Sequence, residues 1–366
     1  MSKGIRTMAL LGLVALVATA CPTDTDGGTG VNTLGQVTDR GRLVCGVNEQ
    51  APGLGFIDAE GNFAGFDIEY CRVIAAAVLG DADAVDFEAL TTEQRFIALQ
   101  GNDIDVLVRN TTWTSSRDGS EGLSFATTTF YDGQGVMVKA DSGFDSLEDL
   151  DGATICVLSG TTTQLNLTSF FRARGLAFEP LVKTTNDEIS PAFRRDQCVA
   201  WTTDKSQLAG IRANWPEGQG GPEGLVVFEE TLSKEPLGPV VNDGDTAWFD
   251  AVEWAVLATI QAEEFGITSR NVDRIRDETE DPEIQRFLGV NLPPEEPAEG
   301  ESPAPAAPFD PGLDLPLDFA YQVIKQVGNY EEIYNRTLGP DTIVGLPRGV
   351  NSLWTDGGLL YAPPYR

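Results

Sequence analysis

Residues 84–109 have the sequence AVDFEALTTEQRFIALQGNDIDVLVR, which contains three elements in a row. Residues 84–90 predict a β-strand, and residues 92–100 predict a helix that ends at Gly101. Residues 105–109 predict a second strand. Strands that alternate with helices indicate an α/β fold built on a largely parallel sheet.

The same alternation of strands and helices occurs on both sides of this unit. Before it, residues 43–47 predict a strand and residues 66–79 predict a helix. After it, a second series predicts strands at 153–158, 178–182 and 198–202 and helices at 164–174, 187–196 and 204–214. The two series indicate two separate βαβ cores. Further helices are predicted at 248–264 and at 319–336, the second interrupted at Gly328.

Residues 1–20 have the layout of a secretory signal, with basic residues, then an apolar run at 8–17, then small residues. The apolar run is too short to span a bilayer, which takes about 20 residues. Cys21 follows, as in a bacterial lipoprotein signal, in which that cysteine is acylated; the alternative is cleavage near residue 20 with release. An otherwise unpaired cysteine in an exported chain favours acylation. Residues 21–33 are expected to form a flexible tether.

The composition excludes several functions. The chain carries 56 acidic and 25 basic residues, and its net charge of −31 repels nucleic acid and anionic lipid. It contains no histidine, which is the commonest general base and metal ligand. Zinc enzymes and Ser-His-Asp hydrolases are therefore poor candidates, and we expect no cofactor or metal. The chain is also longer than one hydrophobic core usually organises, so two lobes are expected.

Four cysteines remain besides Cys21, and an exported chain permits disulfides. They allow three pairings, and their spacings fit no compact CxxC metal pattern. We predict that Cys45 pairs with Cys71 and that Cys156 pairs with Cys198, which gives one bridge in each lobe. Buried free thiols are the alternative.

Residues 293–311 are dense in proline, glutamate and alanine, a composition that cannot bury a core. We interpret this segment as a surface insertion. The alternative is a linker to another domain, but the residues that follow, about 55 of them, are few for a separate domain.

A run of polar residues follows the strand predicted at 105–109. Residues 110–117 read NTTWTSSR, and polar groups beyond the carboxyl ends of parallel strands are where α/β folds bind ligands. The planar guanidinium of Arg117 is suited to a carboxylate, which it grips with two charge-assisted hydrogen bonds. The alternatives for Arg117 are a solvated surface charge and a structural ion pair.

Eight segments along the chain match the pattern of one family: CGV (45–47), GFDIEYCR (65–72), RFIALQG (95–101), residues 105–117, YDGQG (131–135), QVGNY (326–330), WTDGG (354–358) and YAPP (361–364). Through them the chain resembles the polar-amino-acid branch of the extracellular solute-binding proteins that serve ABC importers, closest to the general L-amino-acid-binding subgroup. The resemblance spans nearly all of residues 36–366. The segment 293–311 is the main departure, because it is longer and more acidic than the family's usual connection.

This resemblance implies a two-lobed, type II periplasmic-binding-protein-like α/β fold. Each lobe would be a mixed, mostly parallel sheet flanked by helices, with the ligand in the cleft between the lobes. The first lobe is expected to be discontinuous, comprising residues 34–138 and 240–366, and the second lobe to comprise residues 139–239. The chain is then expected to cross between the lobes near Val138 and Pro239.

The resemblance also implies how the first lobe holds a free amino acid. In the family, an arginine that matches Arg117 grips the α-carboxylate of the ligand. A threonine that matches Thr112 adds a hydroxyl, and a backbone carbonyl that matches the carbonyl of Asn110 helps to hold the ammonium. Residues 91–94 lack the aromatic side chain that relatives often stack against the ligand, which implies a wide pocket that tolerates polar side chains.

The second lobe is implied to supply the other half of the site. The turn at 159–162, including Thr161 and Thr162, offers backbone N–H groups to the carboxylate, as a helix N-terminus does. An aspartate that matches Asp204 takes the ammonium. A cation in one lobe and an anion in the other let a zwitterion complete its contacts only on closure. Without the family, Asp204 would be a helix N-cap.

Three other residues have a structural expectation. Asp67 is expected to cap the helix that follows Gly65, and we do not assign it to the site. Leu54 or Phe56 supplies an apolar wall to the pocket, or else belongs to the core.

The implied function is binding without chemistry: broad capture of L-amino acids and their delivery to the transmembrane permease of an ABC importer, from a lipid anchor at Cys21. A dehydratase-like enzyme on the same fold is the alternative. Without histidine such an enzyme would depend on carboxylates such as Glu93 or Asp204. An amino-acid-sensing module, the third interpretation, would require a membrane and signalling segment downstream.

Overall fold

The computed structural model describes residues 32–292 and 307–366. The predicted signal peptide, Cys21 and the tether up to residue 31 lie outside the described residues, as do residues 293–306 of the proline-rich segment. Asn32 and Thr33 belong to the folded part and not to the predicted tether, because Asn32 caps the first helix and Thr33 begins it. The backbone N–H of Thr33 also donates to the Asp245 carboxylate at 2.8 Å.

The secondary structure alternates along most of the chain. The strands are β1 (Leu43–Val47), β2 (Gln50–Ala51), β3 (Gly55–Ile57), β4 (Phe63–Ala64), β5 (Val85–Ala89), β6 (Val106–Leu107), β7 (Leu123–Phe125), β8 (Phe130–Lys139), β9 (Ala153–Leu158), β10 (Phe178–Lys183), β11 (Ala200–Asp204), β12 (Leu225–Val227), β13 (Lys234–Leu237) and β14 (Val240–Asn242). The α-helices are α1 (Thr33–Arg40), α2 (Phe66–Leu79), α3 (Arg95–Gln100), α4 (Ser115–Gly119), α5 (Thr162–Arg174), α6 (Asn186–Arg194), α7 (Lys205–Ala213), α8 (Thr246–Glu264), α9 (Val272–Glu278), α10 (Pro282–Phe287), α11 (Phe319–Gln326) and α12 (Tyr330–Thr337). Short 3₁₀ helices occur at Glu148–Leu150, Glu217–Gln219, Pro222–Gly224, Gly349–Asn351 and Trp354–Asp356.

The first sheet has the strand order β5-β1-β6-β14-β7. Strand β1 is parallel to β5 and β6, whereas β14 pairs antiparallel with β6 and β7. Parallel neighbours need a crossover, which α2 and α3 provide. The apolar residues of α2, α8, α11 and α12 form the largest core cluster with this sheet, and a second cluster involves α3. This sheet and its helices are the first lobe.

The second sheet has the strand order β10-β9-β11-β8-β12. Strand β9 is parallel to β10 and β11, and β8 pairs antiparallel with β11 and β12. Residues of α6 and α7 pack around Trp201 in one core cluster, and residues of α5 pack around Phe171 in the other. This sheet and its helices are the second lobe. A small antiparallel sheet, β2-β3-β4, follows β1.

Strand β8 passes from the first lobe to the second. Its first residue, Phe130, lies in the core of the first lobe, whereas residues 134–138 pair with β11 in the second sheet. Strand β13 pairs with the beginning of β8, so the two crossing segments form one hydrogen-bonded ribbon. The crossing therefore precedes Val138, the position expected from the sequence, because Val138 pairs with Ala200 inside the second sheet.

Each disulfide joins a strand to a neighbouring element of the same lobe. Cys45 of β1 is bonded to Cys71 of α2 across a Cα–Cα distance of 6.1 Å. Cys156 of β9 is bonded to Cys198, which precedes β11, across 5.6 Å. This is the pairing predicted from the sequence.

Two element boundaries differ from the prediction in ways that affect the site. Helix α5 begins at Thr162 and not at residue 164, because the Thr161 hydroxyl accepts the Gln164 N–H and caps the helix. Strand β11 extends to Asp204, so the helix predicted from residue 204 begins at Lys205. Asp204 is therefore presented at the carboxyl end of a strand.

Leu292 and Ala307, the described residues on either side of 293–306, lie next to each other in space. Leu292 and Ala307 form an antiparallel bridge, in which the Leu292 N–H donates to the Ala307 carbonyl at 2.9 Å. Helices α11 and α12, which follow the segment, pack against α2 and α8 of the first lobe. In the ranges 32–292 and 307–366, we find no helix with the length and apolar character needed to cross a membrane.

Candidate functional site between the lobes

A small cavity lies between the two lobes, and its lining is almost entirely polar. The first lobe contributes Asn48, Thr92, Arg95, Arg109, Asn110, Thr112 and Arg117, and the second lobe contributes Leu158, Thr161, Thr162, Thr163, Asp204 and Gln207. All six residues that the sequence predicted as ligand contacts lie in this lining, three from each lobe. The structure thus brings them together in one space.

The lobes are closed on this cavity. The Gln50 side chain donates to Asp187 of the second lobe at 3.1 Å, and the Asn186 side chain donates to the Gln50 carbonyl at 3.0 Å. Gly210 of α7 lies against the backbone of Pro52, and a Cβ added to Gly210 would be 2.1 Å from the Pro52 oxygen. The closed arrangement therefore has direct contacts outside the cavity.

Arg117 is the cation that the sequence singled out. It lies in the short helix α4, whose first turn is capped by the Thr114 hydroxyl. Its side chain is buried, with its guanidinium carbon 5.2 Å from the centre of the Phe96 ring, and one Nη donates to the Thr112 carbonyl at 2.7 Å. Burial lowers the Arg117 pKa, and the Glu121 and Glu235 carboxylates oppose this effect. The guanidinium keeps further N–H groups for a ligand, since arginine has five.

Glu235 of β13 connects hydroxyl groups from both lobes. The Thr112 hydroxyl donates to it at 2.6 Å and the Thr162 hydroxyl at 2.8 Å, while the Asn166 amide donates to its other oxygen at 2.8 Å. Glu235 is fully buried. Because a hydroxyl has a single proton, the Thr112 oxygen has only lone pairs left to offer the cavity.

The N-terminus of α5 opens onto the cavity. The Thr161 side chain caps the helix by accepting the Gln164 N–H at 3.1 Å. The N–H groups of Thr162 and Thr163, in the first turn, have no partner within the helix, since the first four N–H groups of any α-helix lack one. Together with the helix dipole they favour an anion.

Asp204 is the anion of the site. Although it stands at the N-cap position of α7, its side chain makes no cap hydrogen bond, so the N-cap interpretation is wrong. Instead the carboxylate accepts from the Asn110 amide of the first lobe at 3.2 Å. Burial raises the pKa of Asp204 well above its usual range, and the nearby carboxylates of Asp132 and Glu235 raise it further. A cation in the cavity would offset both effects.

Asn110 has a backbone conformation that needs support. Its φ of 32° lies in the left-handed region, which is uncommon for residues other than glycine. The buried Asp67 carboxylate accepts the Asn110 N–H at 2.6 Å, and the Asn48 amide donates to the Asn110 side chain at 3.0 Å. Asp67 therefore holds the site and does not cap α2, whose N-cap is Gly65. Burial raises the pKa of Asp67 to about 6.

Sequence reasoning missed two arginines and a glutamine in the lining. Arg109 donates from Nε to the Leu90 carbonyl at 2.6 Å, and burial lowers its pKa to about 10. Arg95, at the first position of α3, and Gln207, in α7, are also buried. The available signal was positional, since both arginines lie next to the carboxyl ends of predicted parallel strands.

The remaining candidates lie away from the cavity. Leu54 is fully buried in the core of the first lobe, and Phe56 of β3 does not line the cavity. Glu93, a carboxylate considered for an enzyme, is exposed. Among the described residues, no group of three or more Cys, Asp or Glu side chains is arranged to hold a metal ion.

Two relatives found by comparison with known proteins are both named as amino-acid-binding proteins. The chain is 42% identical over 362 residues to the glutamate/glutamine/aspartate/asparagine-binding protein BztA of Rhodobacter capsulatus, covering 99% of this chain and 100% of BztA. It is 43% identical over 336 residues to the general L-amino acid-binding periplasmic protein AapJ of Rhizobium johnstonii, covering 91% and 93% of the two chains. These relatives are solute-binding proteins and not enzymes.

Solved structures agree with the fold. A periplasmic binding protein of an ABC transporter from Brucella ovis, with glutathione bound, superimposes with a TM-score of 0.82 at 40% identity, covering 92% of this chain and all of that one. The family profile of bacterial extracellular solute-binding proteins, family 3, matches residues 43–340. The protein has the predicted two-lobed type II fold, and it belongs to the bacterial extracellular solute-binding proteins, family 3.

Proposed function

We propose that this protein is the substrate-binding component of an ABC importer and captures free L-amino acids between its lobes. The observation that carries the proposal is the presence of a buried cation, Arg117, and a buried anion, Asp204, on opposite lobes of one closed cavity. A free α-amino acid carries one carboxylate and one ammonium. It therefore satisfies both charges at once, and only when the lobes are closed.

Each end of the zwitterion has an assigned set of partners. The carboxylate lies between the Arg117 guanidinium and the N–H groups at the start of α5, beside Thr161 and Thr162. The ammonium lies between Asp204 and the Asn110 carbonyl. Thr112 contacts the ligand through its oxygen, because its proton is donated to Glu235.

Broad selectivity is supported by the relatives and by the cavity. BztA is named for four amino acids, and AapJ is named as a general L-amino acid-binding protein. A second space adjoins the cavity and shares Asn48, Thr92, Arg109 and Leu158 with it. We propose that ligand side chains of different lengths extend toward this space.

The same adjoining space supports a second candidate ligand. The Brucella ovis relative holds glutathione, a tripeptide whose glutamyl end is a free zwitterion. A short peptide of this type could place its zwitterion at Arg117 and Asp204 and its remainder in the adjoining space. We include it in the ligand panel below for that reason.

We propose that the protein binds without chemistry and delivers its ligand to the permease of the importer. Among the described residues that line the cavity, Asp204 is the only carboxylate, so these residues do not provide a pair that could act as acid and base. As the family is extracellular, the protein is exported. We further propose that acylation of Cys21 anchors it to the membrane.

The experiment that tests the proposed function is thermal melting of the protein against a ligand panel. The panel contains the twenty amino acids, glutathione, and carboxylic acids and amines that each match one half of an amino acid. A ligand that binds only the folded state stabilises it by about 2.7 kcal/mol at a concentration of 100 Kd, which raises the melting temperature by several degrees.

We expect increases with several L-amino acids and none with the matching acids or amines. Equal increases with the acids alone would contradict the role of Asp204. If no amino acid changes the melting temperature after removal of co-purified ligand, the proposed function is wrong.

A further inference from the structure

Glu235 lies in the ribbon of β8 and β13 that connects the lobes, where it pairs with Asp132. It is fully buried, and it is not among the residues that line the ligand cavity. Its strand is also fixed to the first lobe, because the Trp113 N–H donates to the Pro236 carbonyl at 2.8 Å. Glu235 is therefore a carboxylate at the hinge, behind the site and not in it.

The Glu235 carboxylate accepts from four donors. One oxygen accepts the hydroxyl of Thr112, from the first lobe, at 2.6 Å and that of Thr162, from the second lobe, at 2.8 Å. The other oxygen accepts the Asn166 amide of the second lobe at 2.8 Å and the neighbouring Ser233 hydroxyl. A carboxylate has about four lone-pair sites, so all of them are occupied within the protein.

This set of hydrogen bonds depends on closure of the lobes. The hydroxyl oxygens of Thr112 and Thr162 are 3.4 Å apart, although the two residues belong to different lobes. When the lobes separate, Glu235 cannot keep both hydroxyls, and its carboxylate loses donors that water must replace. Hydrogen bonds to a charged group are the stronger class, and a buried carboxylate without its donors is costly. Contacts that include no ligand atom therefore favour the closed arrangement.

We infer that Glu235 is a positioning residue: from the hinge it clasps Thr112 and Thr162 together, and so stabilises the closed form around any ligand without contacting that ligand. The inference rests on the proposed function, in which an amino acid is held between closed lobes. A clasp of this kind acts on the equilibrium between open and closed forms and not on recognition. Its loss should shorten the residence time of every amino acid by a similar factor and leave the order of affinities unchanged.

The test opens the clasp from Asn166, which is not among the residues that line the cavity. Asn166→Asp replaces a donor with a second carboxylate placed against Glu235. We expect the dissociation rates of L-glutamine, L-serine and L-norvaline, measured by stopped-flow, each to rise about tenfold, the equivalent of one hydrogen bond to a charged group. The association rates should change little, because the effect is on the closed form.

An exchange of the two side-chain groups provides the rescue. In the double variant Glu235→Gln/Asn166→Asp, the new carboxamide donates to the new carboxylate, and its oxygen still accepts the hydroxyls of Thr112 and Thr162. Dissociation should therefore be slower than in Asn166→Asp alone. Recovery by this exchange assigns the effect to the contact between these two positions.

The matched control is Glu253→Gln. Glu253 of α8 also accepts a threonine hydroxyl, that of Thr127 at 2.6 Å, but both residues belong to the first lobe. This variant should leave all three dissociation rates unchanged, even where it lowers the melting temperature as much as Asn166→Asp does. If Asn166→Asp does not fold, Asn166→Ala, which only removes the donor, carries the same comparison with a smaller increase expected.

The outcomes separate the two proposals. If Asn166→Asp leaves the dissociation rates unchanged, or accelerates one amino acid and not the others, Glu235 is not a clasp, although the proposed function stands. A double variant that dissociates as fast as Asn166→Asp would overturn the inference as well. If the unmodified protein binds no amino acid, the proposed function fails, and hydrogen exchange at residues 162–166 of the ligand-free proteins tests the clasp. Exchange there should be faster in Asn166→Asp than in the unmodified protein, and equal rates would contradict the inference.

Discussion

Among the described residues Asp204 forms no ion pair, and two carboxylates, those of Asp132 and Glu235, lie near it. Asp132 and Glu235 both disfavour its charge, and burial has the largest effect on its pKa. A bound ammonium favours the ionised form, so the pKa of Asp204 should fall when an amino acid binds. Below the Asp204 pKa of the ligand-free protein, binding should therefore release a proton, and affinity should increase with pH.

This pH dependence can be measured by calorimetry in two buffers of different ionisation enthalpy. Affinity should rise by up to about tenfold per pH unit while Asp204 titrates. Asp204→Asn should abolish the proton release and weaken amino acids more than carboxylic acids. Asp132→Asn should move the dependence to lower pH, because it removes one neighbouring charge. Proton release that persists in Asp204→Asn would assign the titration to another group.

The residues of the site differ in how far the sequence could predict them. Arg117 and Asp204 follow strands and match a family pattern, and the structure places both in the cavity. Arg95 was overlooked because it begins an apolar helical run, where an arginine is usually exposed. In the structure α3 packs against β1, β6 and β14 of the first sheet, and Arg95 lines the closed cavity, where it is buried. Glu235 lies in a short strand whose partner, β8, is distant in the chain.

At the level of elements, the N-terminus of α5 connects stability to binding. Thr161→Ala removes the helix cap and should lower the free energy of unfolding by about 1 kcal/mol. It should also weaken amino-acid binding, because the first turn would fray and its N–H groups would no longer be fixed toward the carboxylate. Thr161→Ser should restore both properties, since serine is an equivalent cap.

Asn32→Ala provides a matched loss of a cap far from the cleft. Asn32 caps α1 by accepting the Gly35 N–H at 3.0 Å. Chemical denaturation and calorimetry should give a similar loss of stability for this variant with no change in affinity. If both variants weaken binding equally, the effect comes from global stability and not from α5.

The strands and helices of each lobe were largely predictable, because apolar periodicity is local. The strand at Ala153–Leu158 has the predicted bounds. Strand β8 was harder to predict from the sequence. Its ten continuous residues pair in two sheets, and no local sequence feature marks the change of partner. The extension of β11 to Asp204 could not be predicted from the sequence either, because a polar residue after a strand is a common start of a helix.

At the level of the whole molecule, Gly210 gives a way to separate closure from folding. Alanine at this position should improve helix propensity in α7. However, the new Cβ would be 2.1 Å from the Pro52 oxygen of the other lobe, a distance that the closed arrangement cannot accept. Gly210→Ala should therefore keep or raise the melting temperature without ligand and weaken amino-acid binding by about 1 to 3 kcal/mol.

Small-angle scattering and calorimetry test this prediction together. The unmodified protein should contract when an amino acid is added, and Gly210→Ala should contract less. Gly218→Ala is the control, because a Cβ there meets no atom within 4 Å. Unchanged affinity in Gly210→Ala would mean that binding does not require the contact between α7 and Pro52.

The strand order of the first sheet also bears on how the newly made chain folds. Strand β14 lies between β6 and β7, yet it follows the entire second lobe in the sequence. Until residue 242 is available, β6 and β7 have no strand between them, whereas every strand of the second sheet has already been made by residue 237. The lobe whose strands come first along the chain is thus completed last. A translocated chain that stops before β14 should contain a finished second lobe beside an open first sheet with exposed apolar surface, the form most in need of a chaperone.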